Sequence, residues 1–194
     1  MNIGVAFSGA SGLHYGYRLV DVLLEHGHNV HVFATEGAAL VASKEMGVSL
    51  NPQHPERSFA QHNNAHNLRG IPLSDVGGKN ASGSSAVDAM VVIPCSMSTL
   101  ARLATGMGGR SLERCAAVML KENRPLIVVP RETPMSLIDL RNQVTLKEAG
   151  AHLLPASPGF YTQPQSIEDI VDFIVQKVTD LLRLDITLTP RWQG

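Results

Sequence analysis

The chain has 194 residues and a formal net charge of -1; 44% of its residues are hydrophobic and 17% are charged. That length suits one domain with its own core, and the near-neutral charge gives no electrostatic basis for binding nucleic acid. The two cysteines, Cys95 and Cys115, fit neither a disulfide framework nor a metal-ligand spacing. Cys95 could be a nucleophile, but no histidine and acid pattern points to it, so we interpret it as a small buried thiol. With no visible leader and no apolar run of membrane-spanning length, we expect a cytoplasmic protein.

Apolar strands and amphipathic helices alternate along the chain. The predicted strands are residues 3–7, 29–34, 89–93, 125–129 and 151–154. The predicted helices are residues 14–26, 36–46, 100–105, 112–121, 136–149 and 167–183. This alternation predicts an α/β fold, a Rossmann-like (flavodoxin-like) doubly wound parallel sheet in a single domain spanning residues 1–194. Residues 51–85 are predicted to be an irregular loop, and residues 187–194 a polar tail.

Three predicted strands each run straight into a loop of small, hydroxyl-bearing or charged residues. These loops are residues 8–12, 94–99 and 130–134. Open parallel sheets bind ligands at the carboxyl ends of their strands. We therefore expect the three loops to share one edge of the sheet and to form one composite site.

The first loop, Ser8-Gly9-Ala10-Ser11-Gly12, lies between a predicted strand and a predicted helix. Backbone amides at that helix start, together with the Ser11 hydroxyl, predict an anion site. The loop lacks the Gly-Lys-Ser/Thr ending of a P-loop, and glycine-rich turns of this kind also serve packing alone. The motif is therefore weak evidence by itself.

Hydroxyl groups recur at two further strand ends. Thr35 ends the second predicted strand, and Ser96, Ser98 and Thr99 precede a predicted helix. Any one of these loops could be an ordinary helix N-cap. Several of them converging on one sheet edge instead favour a ligand that carries a phosphate.

The third loop places Arg131 and Glu132 between two prolines, which restrict the backbone of the loop. An arginine can bind a phosphate or a carboxylate with two parallel hydrogen bonds, and the adjacent glutamate can accept a proton. The alternative is a surface salt bridge. Taken alone, these residues predict binding of a mononucleotide or a similar phosphate.

An ordered series of motifs extends this interpretation. The motifs are residues 8–12, 80–84, 93–97, 120–122, 131–134, 160–161, 164–166 and 191–194. In these motifs the chain resembles the flavin prenyltransferases, the UbiX/Pad1 family of flavin-binding proteins. The resemblance implies transfer of a dimethylallyl group from dimethylallyl phosphate to N5 and C6 of reduced FMN, without a metal. It also implies a homo-oligomer, a dodecamer in the family, that supplies prenylated FMN to a UbiD-type decarboxylase.

The resemblance also assigns roles to individual residues. Those expected to bind FMN are Gly9, Ala10, Ser11, Thr35, Ser96, Met97, Ser98, Thr99 and Arg131. Those expected to bind the allyl donor are Ser82, Gly83, Arg114, Lys121, Tyr161, Lys177 and the tail residue Trp192. Those expected to take part in catalysis are Ser11, Glu45 and Glu132.

Two other functions remain as alternatives. One is an FMN-dependent cysteine decarboxylase, which shares the fold but uses a catalytic histidine and an asparagine motif where this chain has residues 94–98. The other is a flavin carrier without catalytic activity, which would have no need of Tyr161 and Lys177. The sequence leaves open whether the donor is a monophosphate or a pyrophosphate, and which decarboxylase receives the product.

Overall fold

A single parallel sheet of six strands forms the centre of the computed structural model, which describes residues 1–79, 82 and 87–190. The strands are β1 Asn2–Phe7, β2 Asn29–Ala34, β3 Leu68–Gly70, β4 Ala89–Cys95, β5 Leu126–Pro130 and β6 His152–Leu153. Their order in the sheet is β3-β2-β1-β4-β5-β6, and every neighbouring pair is parallel. The predicted fold class is confirmed. Without the short β3, the order is that of flavodoxin-like sheets.

Helices cover both faces of the sheet. They are α1 Leu13–Glu25, α2 Glu36–Met46, α3 Met97–Ala104, α4 Ser111–Lys121, α5 Leu137–Glu148 and α6 Ile167–Leu181. Short 3-10 helices span Pro55–Phe59, Ala65–Asn67 and Phe160–Thr162. Apolar residues of α1, α2 and α6 belong to one buried cluster, and those of α3, α4 and α5 to a second cluster on the other face.

The structure differs from the sequence-based expectation in two places. Helix α3 begins at Met97, not at residue 100, because the Ser96 side chain caps it and accepts a hydrogen bond from the Thr99 amide. Strand β3 lies inside the stretch predicted to be irregular, where it pairs with β2 through Val30 and Leu68. A three-residue edge strand is too short to show an alternating pattern.

Helix α1 packs against the sheet at a distance that only glycine allows. A Cβ atom added at Gly16 would lie 2.6 Å from the carbonyl oxygen of Ile93 and 2.7 Å from the Phe7 ring. Gly16 therefore fixes how closely the start of α1, and with it the Ser11-Gly12 turn, approaches β1 and β4.

We expect Gly16→Ala to lower the free energy of unfolding by about 1–3 kcal/mol, the usual cost of overpacking. The clash with backbone and ring atoms should outweigh the gain in helix propensity, about 1 kcal/mol. Urea unfolding would measure the difference. Gly109→Ala is the matched control, because a Cβ atom there would meet nothing within 4 Å. Equal urea midpoints for the two variants would contradict the packing argument.

Candidate functional site

The ends of β1 and β4 are joined by one buried hydroxyl group. Ser8 Oγ donates a hydrogen bond of 2.8 Å to the carbonyl of Pro94 and accepts one of 2.7 Å from the amide of Ser96. Ser8 itself is fully buried. Strands β1 and β4 are neighbours at the point where the strand order reverses, which is where open α/β sheets bind ligands. Ser8 thus holds the first and second predicted loops together at this crevice.

Backbone hydrogen bonds extend this row of strand ends in both directions. The Thr35 amide donates to the carbonyl of Phe7 at 3.0 Å, and the Arg131 amide donates to the carbonyl of Cys95 at 3.2 Å. The loops after β2, β1, β4 and β5 therefore lie side by side. The structure brings the FMN-binding residues predicted from the sequence to one edge, on four neighbouring strand ends.

The N-terminus of α3 carries a cluster of hydroxyl groups. Ser96 Oγ lies 3.2 Å from Ser98 Oγ and 3.1 Å from Thr99 Oγ1. Ser96 and the adjacent Met97 are partly exposed, whereas Thr99 is buried. Ser96 is therefore an ordinary N-cap that also faces the crevice, next to the positive end of a helix dipole.

The N-terminus of α1 already has an anion of its own. The Gly12 amide donates a 2.9 Å hydrogen bond to the Glu45 carboxylate, which projects from the end of α2. A side chain of the same chain thus occupies the Gly12 amide, and binding of a ligand phosphate by the rest of this turn stays a prediction. Burial alone would raise the pKa of Glu45, but hydrogen bonds from Ser11 and Gly12, together with nearby His14, hold that pKa below its ordinary value.

Glu45→Gln should therefore lower stability at neutral pH more than at acidic pH. Because the folded-state pKa is depressed, the ionised carboxylate stabilises the fold above the ordinary glutamate pKa of about 4.3. That contribution disappears as the pH falls through the lower folded-state value. Urea unfolding should show that the difference in free energy of unfolding between wild type and Glu45→Gln becomes smaller as the pH falls. The exposed Glu148→Gln is the control. A difference that does not change with pH would contradict this account.

Arg131 has a buried donor with no partner in the part of the chain that the structure describes. Its Nε atom is buried and makes no hydrogen bond there. Burial raises the pKa of Tyr15, and the charge of Arg131 partly opposes that rise, which places the two side chains near each other. The Tyr15 ring also lies against Gly12, where an added Cβ atom would approach it to 2.8 Å. An unsatisfied guanidinium donor at this edge fits a ligand that supplies an acceptor.

Tyr15 and Gly37 were not predicted as site residues. Tyr15 fits the apolar face of α1, so the helical pattern assigns it to the core. Gly37 meets Gly9 backbone to backbone, because a Cβ atom added at Gly9 would lie 3.0 Å from Gly37 Cα. Their distance along the sequence leaves no signal of that contact. Glu132 is exposed, and its Oε1 accepts the Thr133 amide at 3.0 Å.

Besides the crevice at the strand ends, the structure has a cavity beside α6. It measures about 230 Å³, and its lining includes Tyr161 and Lys177. The Tyr161 ring packs edge-on against Phe173 with 5.9 Å between ring centroids, and Lys177 Nζ lies 5.5 Å from the centre of the same ring. The structure therefore brings together two residues predicted to bind the allyl phosphate, although 16 positions separate them in the sequence.

Other predicted donor-binding residues lie elsewhere. Lys121 lines a cavity with Leu126, the first residue of β5, whereas Arg131 follows the last residue of that strand. Five strand residues span about 13–17 Å. Within one chain, Lys121 and Arg131 therefore lie near opposite ends of strand β5. Arg114 packs beside Gly108, and Ser82 is exposed. Gly83 and Trp192 lie outside the described residues.

Both cysteines are buried free thiols, as predicted for Cys95. Burial raises the pKa of Cys95 far above its ordinary range and that of Cys115 to about 12, so neither is a nucleophile at neutral pH. Among residues 1–79, 82 and 87–190, no helix is long and apolar enough to cross a membrane. The same residues contain no group of three or more His, Cys, Asp or Glu side chains placed to hold a metal ion.

Comparison with known proteins agrees with this arrangement. The family model described as Flavoprotein matches residues 1–179. The flavin prenyltransferase UbiX of Pseudomonas aeruginosa is 44% identical over 194 residues, which cover 98% of this chain and 93% of that protein. The protein of the same name from Synechocystis sp. is also 44% identical, with 96% and 93% covered. The chain belongs to the flavin prenyltransferase UbiX family.

Solved structures of UbiX proteins share the fold over the whole chain. AnUbiX (PadA1), solved in complex with FMN and dimethylallyl pyrophosphate, has a TM-score of 0.88 and 35% identity, and covers 100% of this chain and 97% of its own. A dodecameric FMN-dependent UbiX-like decarboxylase from Escherichia coli O157:H7 has a TM-score of 0.89 and 34% identity, with 100% of both chains covered. The FMN-dependent cysteine decarboxylase TvaF, at 16% identity and a TM-score of 0.60, shares the fold alone.

Proposed function

We propose that this protein is a flavin prenyltransferase that joins the dimethylallyl group of dimethylallyl phosphate to N5 and C6 of reduced FMN. The observation that carries the proposal is the presence of two separate sites in a chain similar to UbiX enzymes over its full length. One is the crevice at the strand ends, where Arg131 Nε has no hydrogen-bond partner among the described residues. The other is the cavity that contains Tyr161 and Lys177.

FMN is a substrate in this reaction, and the residues at the crevice fit it. The hydroxyl groups of Ser96, Ser98 and Thr99 stand at the start of α3, where the helix dipole favours an anion. Arg131 supplies the unsatisfied donor. The proposed FMN site consists of Gly9, Ala10, Ser11, Thr35, Ser96, Met97, Ser98, Thr99 and Arg131.

The leaving phosphate is proposed to bind in the cavity beside α6. Cleavage of the allylic C–O bond leaves negative charge on the phosphate, so nearby donors lower the barrier. Lys177 offers a positive charge and Tyr161 a hydroxyl, on one wall formed by Phe173. Holding two substrates in contact supplies a further part of the rate. Ser82, Gly83, Arg114, Lys121 and Trp192 remain predicted members of the donor site.

Closing the new ring joins C6 to the carbon that bears the two methyl groups. The remaining C=C bond takes up a proton at its other carbon, and C6 releases one, so the site needs a group that can carry a proton. Glu45 and Glu132 are the proposed carboxylates, and Ser11 is proposed to act with Glu45. The contacts of Glu45 support its assignment, because the Ser11-Gly12 turn keeps it ionised at neutral pH beside the strand ends. Glu132 follows Arg131 directly and is exposed at the same edge.

We further propose that the protein is cytoplasmic and forms a homo-oligomer whose product serves a UbiD-type decarboxylase. The E. coli neighbour is described as dodecameric. Helix α5 exposes Leu137, Ile138 and Val144, an apolar surface of the kind that subunit contacts bury. Subunit contact would also let a neighbour bring Lys121 to the site, which one chain does not do. Light scattering would test the proposed homo-oligomer, since a monomeric mass excludes one.

One experiment separates the candidate functions. The protein would be incubated without oxygen with reduced FMN and either dimethylallyl phosphate or dimethylallyl pyrophosphate, and the flavin would then be weighed by mass spectrometry. A prenyltransferase yields a flavin heavier by one five-carbon unit. A flavin carrier returns FMN unchanged. A cysteine decarboxylase also leaves its mass unchanged, and a second incubation with oxidised FMN and a cysteine-terminated peptide would identify it by the release of carbon dioxide.

Tyr161→Phe and Lys177→Ala should each slow prenylation by about 100-fold or more, since one lost transition-state donor costs about 3 kcal/mol. FMN binding should persist, because both residues lie in the cavity beside α6. Single-turnover kinetics and FMN titration would measure the two effects. Phe160→Ala, an exposed neighbour in the same 3-10 helix, is the control. If FMN binding is lost while the rate per bound flavin is unchanged, the phosphate site is misplaced.

A further inference from the structure

Gln176 is a buried amide side chain on the inner face of α6, whose other buried residues are apolar except for Thr179. It is 4% exposed. Its Oε1 accepts a 2.6 Å hydrogen bond from the Leu188 amide, and its Nε2 donates a 2.9 Å hydrogen bond to the carbonyl of Ile186. The side chain therefore pairs with the tail backbone as a neighbouring strand would, with one donor and one acceptor. Buried amides tend to be retained only where their hydrogen bonds are satisfied.

The segment that Gln176 holds leads directly to the cavity of Tyr161 and Lys177. Ile186 is buried in the apolar cluster beneath α6. The two residues that follow Leu188, Thr189 and Pro190, form part of the cavity wall. Gln176 itself also lines that cavity. The tail can form this wall only while its backbone stays in place against α6. Ile186 and Leu188 pack against the apolar cluster of α6, and Gln176 adds the hydrogen bonds that join α6 to the backbone of this segment.

A further hydrogen bond joins Gln176 to a carboxylate that lines the cavity. Its Nε2 also donates to Asp180 Oδ1 at 2.9 Å. Asp180 lines the same cavity as Lys177, three positions away on α6. A carboxylate repels a nearby phosphate, so the position of Asp180 matters, and the neutral Gln176 amide helps to fix that position.

We propose that Gln176 is a positioning residue that fixes residues 186–190 as one wall of the donor-phosphate cavity and holds Asp180 at its edge. The inference rests on the proposed function, because it takes this cavity to be the phosphate site. Gln176 acts through the tail and Asp180, and it need not touch the donor. Its removal weakens binding of the donor phosphate and leaves the FMN crevice intact, because the hydrogen bonds of Gln176 join none of the crevice residues.

Gln176→Leu tests this, since leucine keeps the side chain large and removes every hydrogen bond. Amide hydrogen exchange should show the Leu188 amide losing protection. Calorimetric titration of dimethylallyl phosphate into the FMN-loaded protein should show at least about tenfold weaker binding, the size expected when a buried hydrogen bond is lost. KM for the donor should rise by a similar factor, with kcat and FMN affinity within about threefold of wild type.

Val175→Ala is the matched control, because it cuts a buried side chain on the same helix outside the cavity lining. It should destabilise the fold while leaving donor affinity and Leu188 protection unchanged. If Gln176→Leu exposes the Leu188 amide but donor affinity stays at the wild-type value, the inference is overturned. It is also overturned if the control variant weakens donor binding equally. If wild type binds the donor but leaves the flavin mass unchanged, the proposed function fails, while the titrations still decide the role of Gln176.

Discussion

The hydroxyl of Ser8 is the contact on which the site depends. A parallel sheet leaves the last carbonyl and amide groups of its strands without partners at the edge where ligands bind. Ser8 satisfies one of each, at Pro94 and Ser96, and does so across the two strands where the chain reverses its winding. Adjacent backbone bonds from Thr35 and Arg131 continue the row on either side, the latter after a register shift between Val92 and Cys95. The crevice is consequently an extension of the sheet, with rigid walls.

Helix α1 approaches this crevice under two constraints that act together. Gly16 sets how deeply the helix lies on the sheet, and Glu45 neutralises its positive end. A ligand phosphate at the start of α1 would compete with a carboxylate already bound there. The start of α3 has hydroxyl caps and no such carboxylate contact among its hydrogen bonds in the described residues. The two helix starts therefore differ in the partners that they meet, although both follow loops with small and hydroxyl-bearing residues.

The pattern of the sequence predicted the elements with strong periodicity and the loops that end them. Three strands are apolar runs bounded by turn residues, and that pattern is sufficient to predict a strand. They precede the loops of residues 8–12, 94–99 and 130–134. The features that the sequence pattern did not predict depend on contacts between residues far apart in the sequence. The bond from Glu45 to Gly12 spans 33 positions, and the backbone contact of Gly37 with Gly9 spans 28. Gln176 was missed because an isolated amide on an apolar helix face has no local signature.

The two sites differ in how firmly the chain holds them. The crevice rests on buried strand ends, and its loops are tied by backbone bonds within the central sheet. The cavity of Tyr161 and Lys177 is walled partly by a tail that follows the last helix, where chain segments ordinarily have few restraints. A reaction that joins a charged donor to a held flavin benefits from this difference. The rigid site can keep the flavin in place, and the wall that Gln176 holds is the part that a single side chain can loosen.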